Sequence, residues 1–545
     1  MDKKKSLLNI SIAMIFRVCV LVCTLLVRRF LIKYIGNEAN GLDSLYASII
    51  GFLSVAELGI GSAITFCMYK PIIEGNTEKV SALYCLFKKL YLFIGGLILA
   101  GGCAILPLLP YFAKGYNADN INIYFTFVLM LVSVVLTYTF SAKISLINAY
   151  KNNYISTAIQ SGGHVLQYIL QIVVLIVSHS FTFYLGCRII AVAVQWGVTE
   201  IAARKKHGNI IIQKNKIDSE TKTEVVKNVK AMFMHKIGDV LVNTADSIII
   251  SAFISVIILG KYSNYTTIVV AMNSTIILFF TPLTSIIGHM LIEESSETAQ
   301  RYYKFIYVFN YIIGCIFYLG YYAVIDNLIT ICFGRDLELS KVVSFIITLN
   351  YFIQFMKSAT GLFRDASGTF YNDRWKPLFE GILNVGLSIG FIYLFGYLWG
   401  ENYAIVGVIV ATIITNLFIC HIVEPYVLHK YAFHLSPKKY YMRNYLYIVI
   451  FAGALVALHF SMITSENQWV ELLANGAISI AYALGLSALV ILLNKNFRQH
   501  AIAFLQRFKR HNKKQTTDEE GNDLTLSAVP AQEITEINNE EDGIG

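Results

Sequence analysis

The apolar residues of this chain fall in long uninterrupted runs that are separated by short polar breaks. A run of roughly 18–25 apolar residues, wound as an α-helix, crosses a hydrocarbon core of about 30 Å. A spanning β-barrel would instead show alternating strands of about ten residues. The pattern therefore predicts an all-α polytopic membrane protein with about fourteen spans. The predicted spans are 10–32, 42–67, 90–110, 121–147, 154–178, 181–202, 237–258, 262–287, 305–325, 341–363, 377–399, 403–428, 445–463 and 470–493, with the weakest breaks at His179 and Lys261.

Two short segments recur about 220 residues apart, at matching positions relative to the spans. NNYISTAIQ at 152–160 matches NDRWKPLFE at 372–380, and each is a polar loop that opens a span. GLDSLY at 41–46 matches GKYSNY at 260–265 in the same order. Internally repeated membrane proteins are usually transporters, because two similar bundles can rock about a shared central site. The repeat therefore predicts two pseudo-symmetric six-helix bundles.

The loops between the spans predict how the two bundles are connected. The longest polar stretch between spans is basic and follows the sixth span, and the last two spans have no counterpart in the first half. The end of the chain is first basic and then acidic, with the low hydrophobicity of a disordered segment. The predicted parts are a first bundle at 1–203, a cytoplasmic linker at 204–236, a second bundle at 237–428, an extra helix pair at 429–493 and a disordered cytoplasmic tail at 494–545.

Composition and charge placement exclude a soluble nucleic-acid-binding protein. The chain is 56% hydrophobic and only 14% charged, with a mean hydropathy of +0.58. Its net charge of +9 comes largely from lysines and arginines in alternate loops, which is the positive-inside pattern of a membrane protein. With an even number of spans, both termini are predicted to be cytoplasmic.

Motifs for ATP hydrolysis and for metal-dependent catalysis are missing from the sequence. There is no GxxxxGK[ST], no HExxH and no CxxC, and no loop is long enough to fold into a catalytic domain. We therefore expect neither an enzyme nor a bound cofactor. Among the remaining features, Gly386 and Gly390 are spaced for close helix packing, and Pro282 is predicted to bend its span.

Ionisable residues inside the spans indicate where function lies, because each is costly at the bilayer centre and normally faces a bundle interior or water. Glu57 falls near the middle of the second span. Arg17 lies about two turns into the first span, where it could also snorkel to the interface, and snorkelling is the prediction for Arg28 and Arg29. The candidate substrate-binding residues are Arg17, Glu57, Arg188, Lys357, Arg364, Arg374 and Glu380.

Three polar residues of the seventh span share one helical face. Asp239, Asn243 and Asp246 are spaced i, i+4, i+7. Their oxygen atoms suit a sodium ion or a proton, so this stripe is a candidate site for a coupling cation. A hydrogen-bonded seam between helices is the alternative.

Several segments resemble one family of transporters. FLSVAELGIGSAI at 52–64, preceded by GLDSL at 41–45, resembles the second span of Wzx-type polysaccharide flippases. VNTADSIIIS at 242–251 and FRDASG at 363–368 resemble the second half of the same family, which belongs to the multidrug/oligosaccharidyl-lipid/polysaccharide exporter superfamily. The resemblance runs from about residue 6 to 493 and leaves the acidic tail outside it.

The resemblance implies two bundles around a central cationic cavity. Such proteins move an undecaprenyl-diphosphate-linked oligosaccharide to the outer leaflet for capsule, exopolysaccharide or other surface polysaccharide synthesis. The implied partners are this lipid-linked oligosaccharide, membrane lipids, and a polymerase and glycosyltransferases of the same pathway. Two alternatives stay open at this point: a cation-coupled drug or metabolite antiporter of the same superfamily, and an integral membrane glycosyltransferase or polymerase.

Overall fold

The computed structural model describes residues 3–57, 60–117, 121–213, 244–280, 283–369, 372–494 and 497–498. The described part is helical between short loops and contains no strand, which confirms the all-α polytopic prediction. Ten of its helices are long and apolar enough to cross a membrane. Residues 1–487 form one compact unit, and 488–545 are grouped separately. Asp239, Asn243, Pro282, most of the predicted linker and nearly all of the predicted tail lie outside the described residues.

The helices follow the predicted spans in order, and, after the sequence repeat, we call those up to residue 213 the first half and those from 244 to 428 the second half. The first half contains α1 Lys3–Tyr34, α2 Asn37–Leu53, α3 Ile60–Ile73, α4 Thr77–Ile105, α5 Leu109–Phe112, α6 Ile123–Ala149, α7 Asn153–Ser178 and α8 Phe181–Ile212. The second half and the extra pair contain α9 Thr244–Ile254, α10 Val256–Phe280, α11 Leu283–Glu293, α12 Ser296–Phe333, α13 Lys341–Met356, α14 Ser358–Ser367, α15 Lys376–Trp399, α16 Ala404–Thr415, α17 His421–Leu428, α18 Lys438–Ser461 and α19 Gln468–Leu493.

Local chemistry moves some helix ends away from their predicted positions. The break expected at Lys261 lies instead at Ser255, whose backbone is extended. The Ser255 hydroxyl accepts a hydrogen bond from the Ile257 amide at 3.1 Å, as an N-cap does, and α10 begins there. Helix α8 continues to Ile212, inside the stretch predicted as linker.

The repeat-matched helices α2 and α10 cross each other at a pair of glycines. A Cβ added at Gly41 would lie 2.0 Å from the Val256 carbonyl oxygen, and one added at Gly260 would lie 2.6 Å from the Asn37 carbonyl oxygen. Only a residue without a side chain allows two backbones to approach so closely. We call this contact the outer crossing, because it lies at the predicted outer ends of both helices.

Hydrogen bonds between the halves surround the outer crossing. The Asn37 side chain donates to the Ile257 carbonyl at 2.8 Å, and the Asn40 side chain donates to the Gly260 carbonyl at 2.9 Å. Lys114, just after α5, pairs through its backbone with Ser251 and Val256 at 3.3 and 2.9 Å. The first half is therefore fastened to the second at this end of the membrane.

The extra pair begins with a helix that is docked firmly on the second half. Tyr303 and Tyr307 of α12 pack on Tyr440 of α18, with ring centroids 5.9 and 5.2 Å apart. Further along, Phe352 of α13 stacks on Phe451 at 3.5 Å. Buried aromatic pairs of this kind add to the burial of apolar area. Helices α12 and α18 thus begin at the same end of the membrane and run side by side.

The prediction of close packing at Gly386 and Gly390 is wrong. A Cβ added at either position would have no atom within 4 Å. Helix α16 instead approaches α15 through Gly407, where an added Cβ would lie 2.6 Å from the Phe391 backbone. The spacing of Gly386 and Gly390 in α15 therefore did not predict that the close contact between α15 and α16 is made at Gly407 of α16.

Candidate functional site

Two arginines and one aspartate meet where the halves join, and we call them the arginine cluster. Arg188 of α8 donates to both carboxylate oxygens of Asp43 at 2.6 and 2.9 Å. Arg28 of α1 is near enough to the same carboxylate to be influenced by its charge. It donates hydrogen bonds to Ser263 of α10 at 3.0 Å and to Asn264 at 3.2 Å. The cluster therefore links three helices of the first half to α10.

The arginine cluster carries a surplus positive charge. The cluster contains two guanidinium groups and one carboxylate, and the salt bridge to that carboxylate comes from Arg188, so one positive charge has no acidic partner within the cluster. The side chains of Arg188 and Asp43 are only 19% and 16% exposed, and the Arg188 Nε is buried without a hydrogen-bond partner. A buried donor without a partner is costly, and a bound ion or ligand is one way to satisfy it. An anion with several oxygens, such as a phosphate, fits this donor set.

Glu57 lies at an interruption of the second predicted span. Helix α2 gives way to a 3-10 turn over Ser54–Glu57 before α3 begins. The Tyr138 hydroxyl of α6 donates to the Glu57 carboxylate at 2.6 Å. The carboxylate is thus held inside the first half, away from the arginine cluster.

Asp246 of α9 faces two polar residues of other helices, and we call the three the oxygen cluster. The Thr412 hydroxyl lies 3.4 and 3.2 Å from the two Asp246 oxygens and 3.2 Å from the Val408 carbonyl oxygen of its own helix, and it can donate to one of these acceptors at a time. The Asn384 side-chain amide donates to the same hydroxyl at 2.9 Å. Helices α9, α15 and α16 therefore converge on one carboxylate.

Unpartnered oxygen atoms surround the oxygen cluster. The Asn384 Oδ1, the Ser388 hydroxyl and the Asn416 Oδ1 are buried without hydrogen-bond partners. Ser388 and Asn416 follow Asn384 and Thr412 by one helical turn each. Hard cations such as sodium take carboxylate, amide and hydroxyl oxygens as ligands, so this set fits a small cation.

A second group of charges lies at the predicted cytoplasmic end of the second half. Arg364 pairs with Asp373 at 2.9 Å and lies 3.5 Å from Glu424. Lys376 pairs closely with Glu424 and lies 3.3 Å from Glu380. We call these five residues the cytoplasmic ion cluster.

The cytoplasmic ion cluster is almost sealed from solvent. The side chains of Asp373, Lys376, Glu380 and Glu424 are between 2% and 7% exposed. Buried charges persist only when each has a partner, and here two cations and three carboxylates are joined through α14, α15, α17 and the loop at 372–375. The Lys357 ammonium is attracted electrostatically by Glu380 and Glu424 and contributes a third positive charge beside the cluster.

The first half contains a matching ion pair. Lys143 of α6 pairs closely with Glu200 of α8, and Arg204 also contacts Glu200 at 2.5 Å. Lys143 precedes the loop at 151–152, just as Arg364 precedes the repeat-matched loop at 372–375. Each half is therefore fixed at this end by a salt bridge between its own helices.

The structure separates the predicted binding residues into distinct places. Arg188 belongs to the arginine cluster, and Glu57 lies apart from it. Lys357, Arg364 and Glu380 come together in or beside the cytoplasmic ion cluster, and Arg374 is half-buried in the loop next to it. The backbone of Arg17 lies in α1, but its side chain is outside the described part of the chain.

Other residues of these clusters were not singled out from the sequence. The prediction that Arg28 snorkels is wrong, because it donates to Ser263 and Asn264 of the other half. Arg29 is exposed and donates to the Ile331 carbonyl at 3.2 Å. The available signal was the repeat, since Asp43, Ser263 and Asn264 lie in the matched segments at 41–46 and 260–265. The missed residues are Arg28, Asp43, Lys143, Glu200, Asp373, Lys376, Asn384, Thr412 and Glu424.

Comparison with known proteins identifies solved structures that share this fold. No family model matches the sequence, and no curated protein matches it. Among solved structures, the inward closed conformation of the lipid II flippase MurJ aligns with a TM-score of 0.57 at 14% identity, covering 90% of this chain and all of that one. The inward-facing conformation of a multidrug resistance MATE family transporter of the MOP superfamily aligns with a TM-score of 0.51 at 13% identity, covering 80% and 98%. A MATE structure in complex with MaL6 gives a TM-score of 0.50 at 13% identity, covering 83% and 97%. The chain thus has the fold that these flippase and multidrug-transporter structures share.

Proposed function

We propose that this protein is a flippase for a lipid-linked oligosaccharide, an undecaprenyl diphosphate carrying a sugar repeat unit of a surface polysaccharide. The observation that carries the proposal is the arginine cluster, whose surplus charge and unpartnered donor lie where the two halves meet. A diphosphate that crosses the membrane needs compensating positive charge, because transferring an isolated charge into hydrocarbon is unfavourable in free energy. The lipid tail can stay in the bilayer while the headgroup passes between the halves, and no covalent bond needs to change.

We infer alternating access from where the contacts between the two halves and within each half lie. The outer crossing closes the predicted outer end, whereas the salt bridges at the predicted cytoplasmic end join helices within each half. A headgroup would enter from the cytoplasmic leaflet, displace the Arg28 contacts to α10, and allow the outer crossing to separate. The fold likeness to a lipid II flippase supports this order of events and leaves the sugar unidentified.

The charge of the arginine cluster provides the test. Arg188→Gln lowers its net charge from +1 to zero and should reduce export about tenfold or more, because charge-assisted hydrogen bonds contribute roughly 1.5–3 kcal/mol. Adding Asp43→Asn restores the net charge of +1 and should recover part of the activity. The measurement is surface polymer, together with the lipid-linked intermediate retained inside cells, at matched protein levels. Unchanged export in both variants would refute a role for this cluster in binding substrate.

We further propose that the oxygen cluster binds the coupling ion, sodium or a proton. Asp246→Asn should change the dependence of transport on sodium or pH while leaving the affinity for the lipid-linked substrate largely intact. Thr412→Val removes the hydroxyl between Asp246 and Asn384 and should act in the same direction. Thr137→Val is the control, because that hydroxyl donates to the Val134 carbonyl of its own helix at 2.7 Å. Identical sodium and pH profiles in all three variants would show that the cluster is only a packing seam.

A cation-coupled antiporter for drugs or metabolites is the second candidate, and the oxygen cluster is the observation that favours it. Two of the compared structures are MATE transporters, one of them described as a multidrug resistance transporter. Drug susceptibility of cells lacking the protein separates the two functions. Loss of polymer without a change in drug susceptibility supports the flippase, and the reverse supports the antiporter.

A further inference from the structure

We propose that the predicted cytoplasmic ends of α12 and α18 form a binding site for the phosphate headgroup of an anionic phospholipid. Four cations converge there, and we call them the basic patch: Arg301 and Lys304 of α12, and Lys439 and Arg443 of α18. The inference concerns a resident membrane lipid and does not depend on the identity of the transported substrate.

The packing of α12 on α18 brings the four cations together. The Arg443 guanidinium lies over the Tyr307 ring, 5.1 Å from its centroid. Lys439 precedes Tyr440, which packs on Tyr303, the neighbour of Lys304. Consistent with this arrangement, the charges of Arg443, Lys439 and Arg301 all repel the ammonium of Lys304.

The basic patch differs from the cytoplasmic ion cluster and from the Lys143–Glu200 pair in containing no acid. Each cation of the cytoplasmic ion cluster, and Lys143 in the first half, touches a carboxylate. Among the described residues, no carboxylate lies within salt-bridge distance of any of the four cations, although Glu297 is only one turn from Arg301. The Arg443 Nε is in addition buried without a hydrogen-bond partner. Like charges held together in this way attract an anion from outside the chain.

The surroundings of the patch favour a lipid over a soluble anion. Met442 and Leu446 flank Arg443 on α18. Both apolar side chains are exposed on the protein surface, so in a bilayer they face acyl chains. A headgroup phosphate at the basic patch would therefore have its chains along these residues. Basic pockets between helices on the cytoplasmic side are a recognised setting for anionic headgroups.

Lipid binding to the purified full chain tests the proposal. The protein in neutral detergent is titrated with phosphatidylglycerol or with phosphatidylcholine of the same acyl chains, and bound lipid is counted by native mass spectrometry. Each basic residue near an anionic lipid contributes roughly a fivefold factor in affinity. Lys304→Gln combined with Arg443→Gln should therefore weaken phosphatidylglycerol binding about 25-fold. Binding of phosphatidylcholine should not change.

Matched controls separate the patch from charge in general and from misfolding. Lys88→Gln with Lys89→Gln removes two exposed cations from α4 and should leave phosphatidylglycerol binding unchanged. Lys304→Gln with Lys439→Gln leaves the contact of Arg443 with Tyr307 intact and should still weaken binding. Arg443→Lys, which keeps the charge, should retain most of it. Equal losses in the patch and α4 variants would overturn the proposal.

Two further arms exclude other anions. Inorganic phosphate at millimolar concentration should not displace the lipid, and displacement would show a simple anion site. The acidic segment that follows Lys514 is the competing occupant. If phosphatidylglycerol binds the patch only after the chain is ended at Lys514, the patch belongs to that segment and the lipid proposal fails.

Discussion

Replacing Glu424 by glutamine is expected to destabilise the protein by about 3–5 kcal/mol, because it breaks a buried ion pair and leaves its partners behind. The Glu424 carboxylate is shared by Lys376 and Arg364, whose side chains are 7% and 13% exposed. Without it, the two buried cations retain as nearby acids Asp373, Glu380 and the exposed Asp365, which lies 3.8 Å from Arg364. The amide of glutamine preserves the volume but not the charge, so the loss is electrostatic.

Thermal unfolding of the purified protein in detergent measures this effect. The unfolding midpoint of Glu424→Gln should lie clearly below that of the unaltered chain. Glu401→Gln is the matched control, since Glu401 is exposed in a short turn and its replacement should change stability by less than about 0.5 kcal/mol. Equal midpoints for the two variants would mean that Asp373 and Glu380 suffice to hold the cluster.

The same substitution should also lower transport. Helix α15 begins at Lys376 in the cytoplasmic ion cluster and carries Asn384 of the oxygen cluster about two turns further on. Helix α17, which carries Glu424, follows α16 with Thr412 after a π-helical turn at Asn416–Cys420. Loosening the cytoplasmic end therefore shifts two of the three residues of the proposed ion site.

Replacing Gly41 by alanine is expected to force the outer crossing apart. The new methyl group would lie 2.0 Å from the Val256 carbonyl oxygen, and a backbone atom cannot rotate away as a side chain can. Overpacking of this kind typically costs about 1–3 kcal/mol. The neighbouring hydrogen bonds from Asn40 to Gly260 and Asn264, at 2.9 and 3.1 Å, should lengthen with it. Gly260→Ala acts on the other helix and should give the same result.

Cross-linking across the halves reports the expected separation. Cysteines at Asn37 and Ile257, in a chain whose native cysteines are replaced, should be joined by a short thiol cross-linker in the parent and much less in Gly41→Ala. Gly453→Ala is the control, because a Cβ there meets no atom within 4 Å. Unchanged cross-linking and unchanged export in Gly41→Ala would contradict the close approach of the two backbones.

The sequence could predict the features that depend on residues close to one another along the chain. Each span is apolar because the bilayer requires it, and each helix forms its own backbone bonds, so α1 to α19 follow the predicted runs closely. The repeat also pointed to Gly41 and Gly260 as equivalent positions. What it could not show is that these two equivalent glycines touch each other.

Only the tertiary structure shows which charged side chains contact each other. Arg28 and Ser263 are 235 residues apart, and Arg188 and Asp43 are 145 apart, so their contacts depend on how the helices pack. From the sequence, Arg28 and Arg364 are alike: each is an arginine near a span end. In the structure, Arg28 joins the halves and Arg364 is fixed within one of them by Asp373 and Glu424. Helix packing in a membrane is set by the close approach of small residues and by polar partners across helices, and neither is encoded in hydrophobic periodicity.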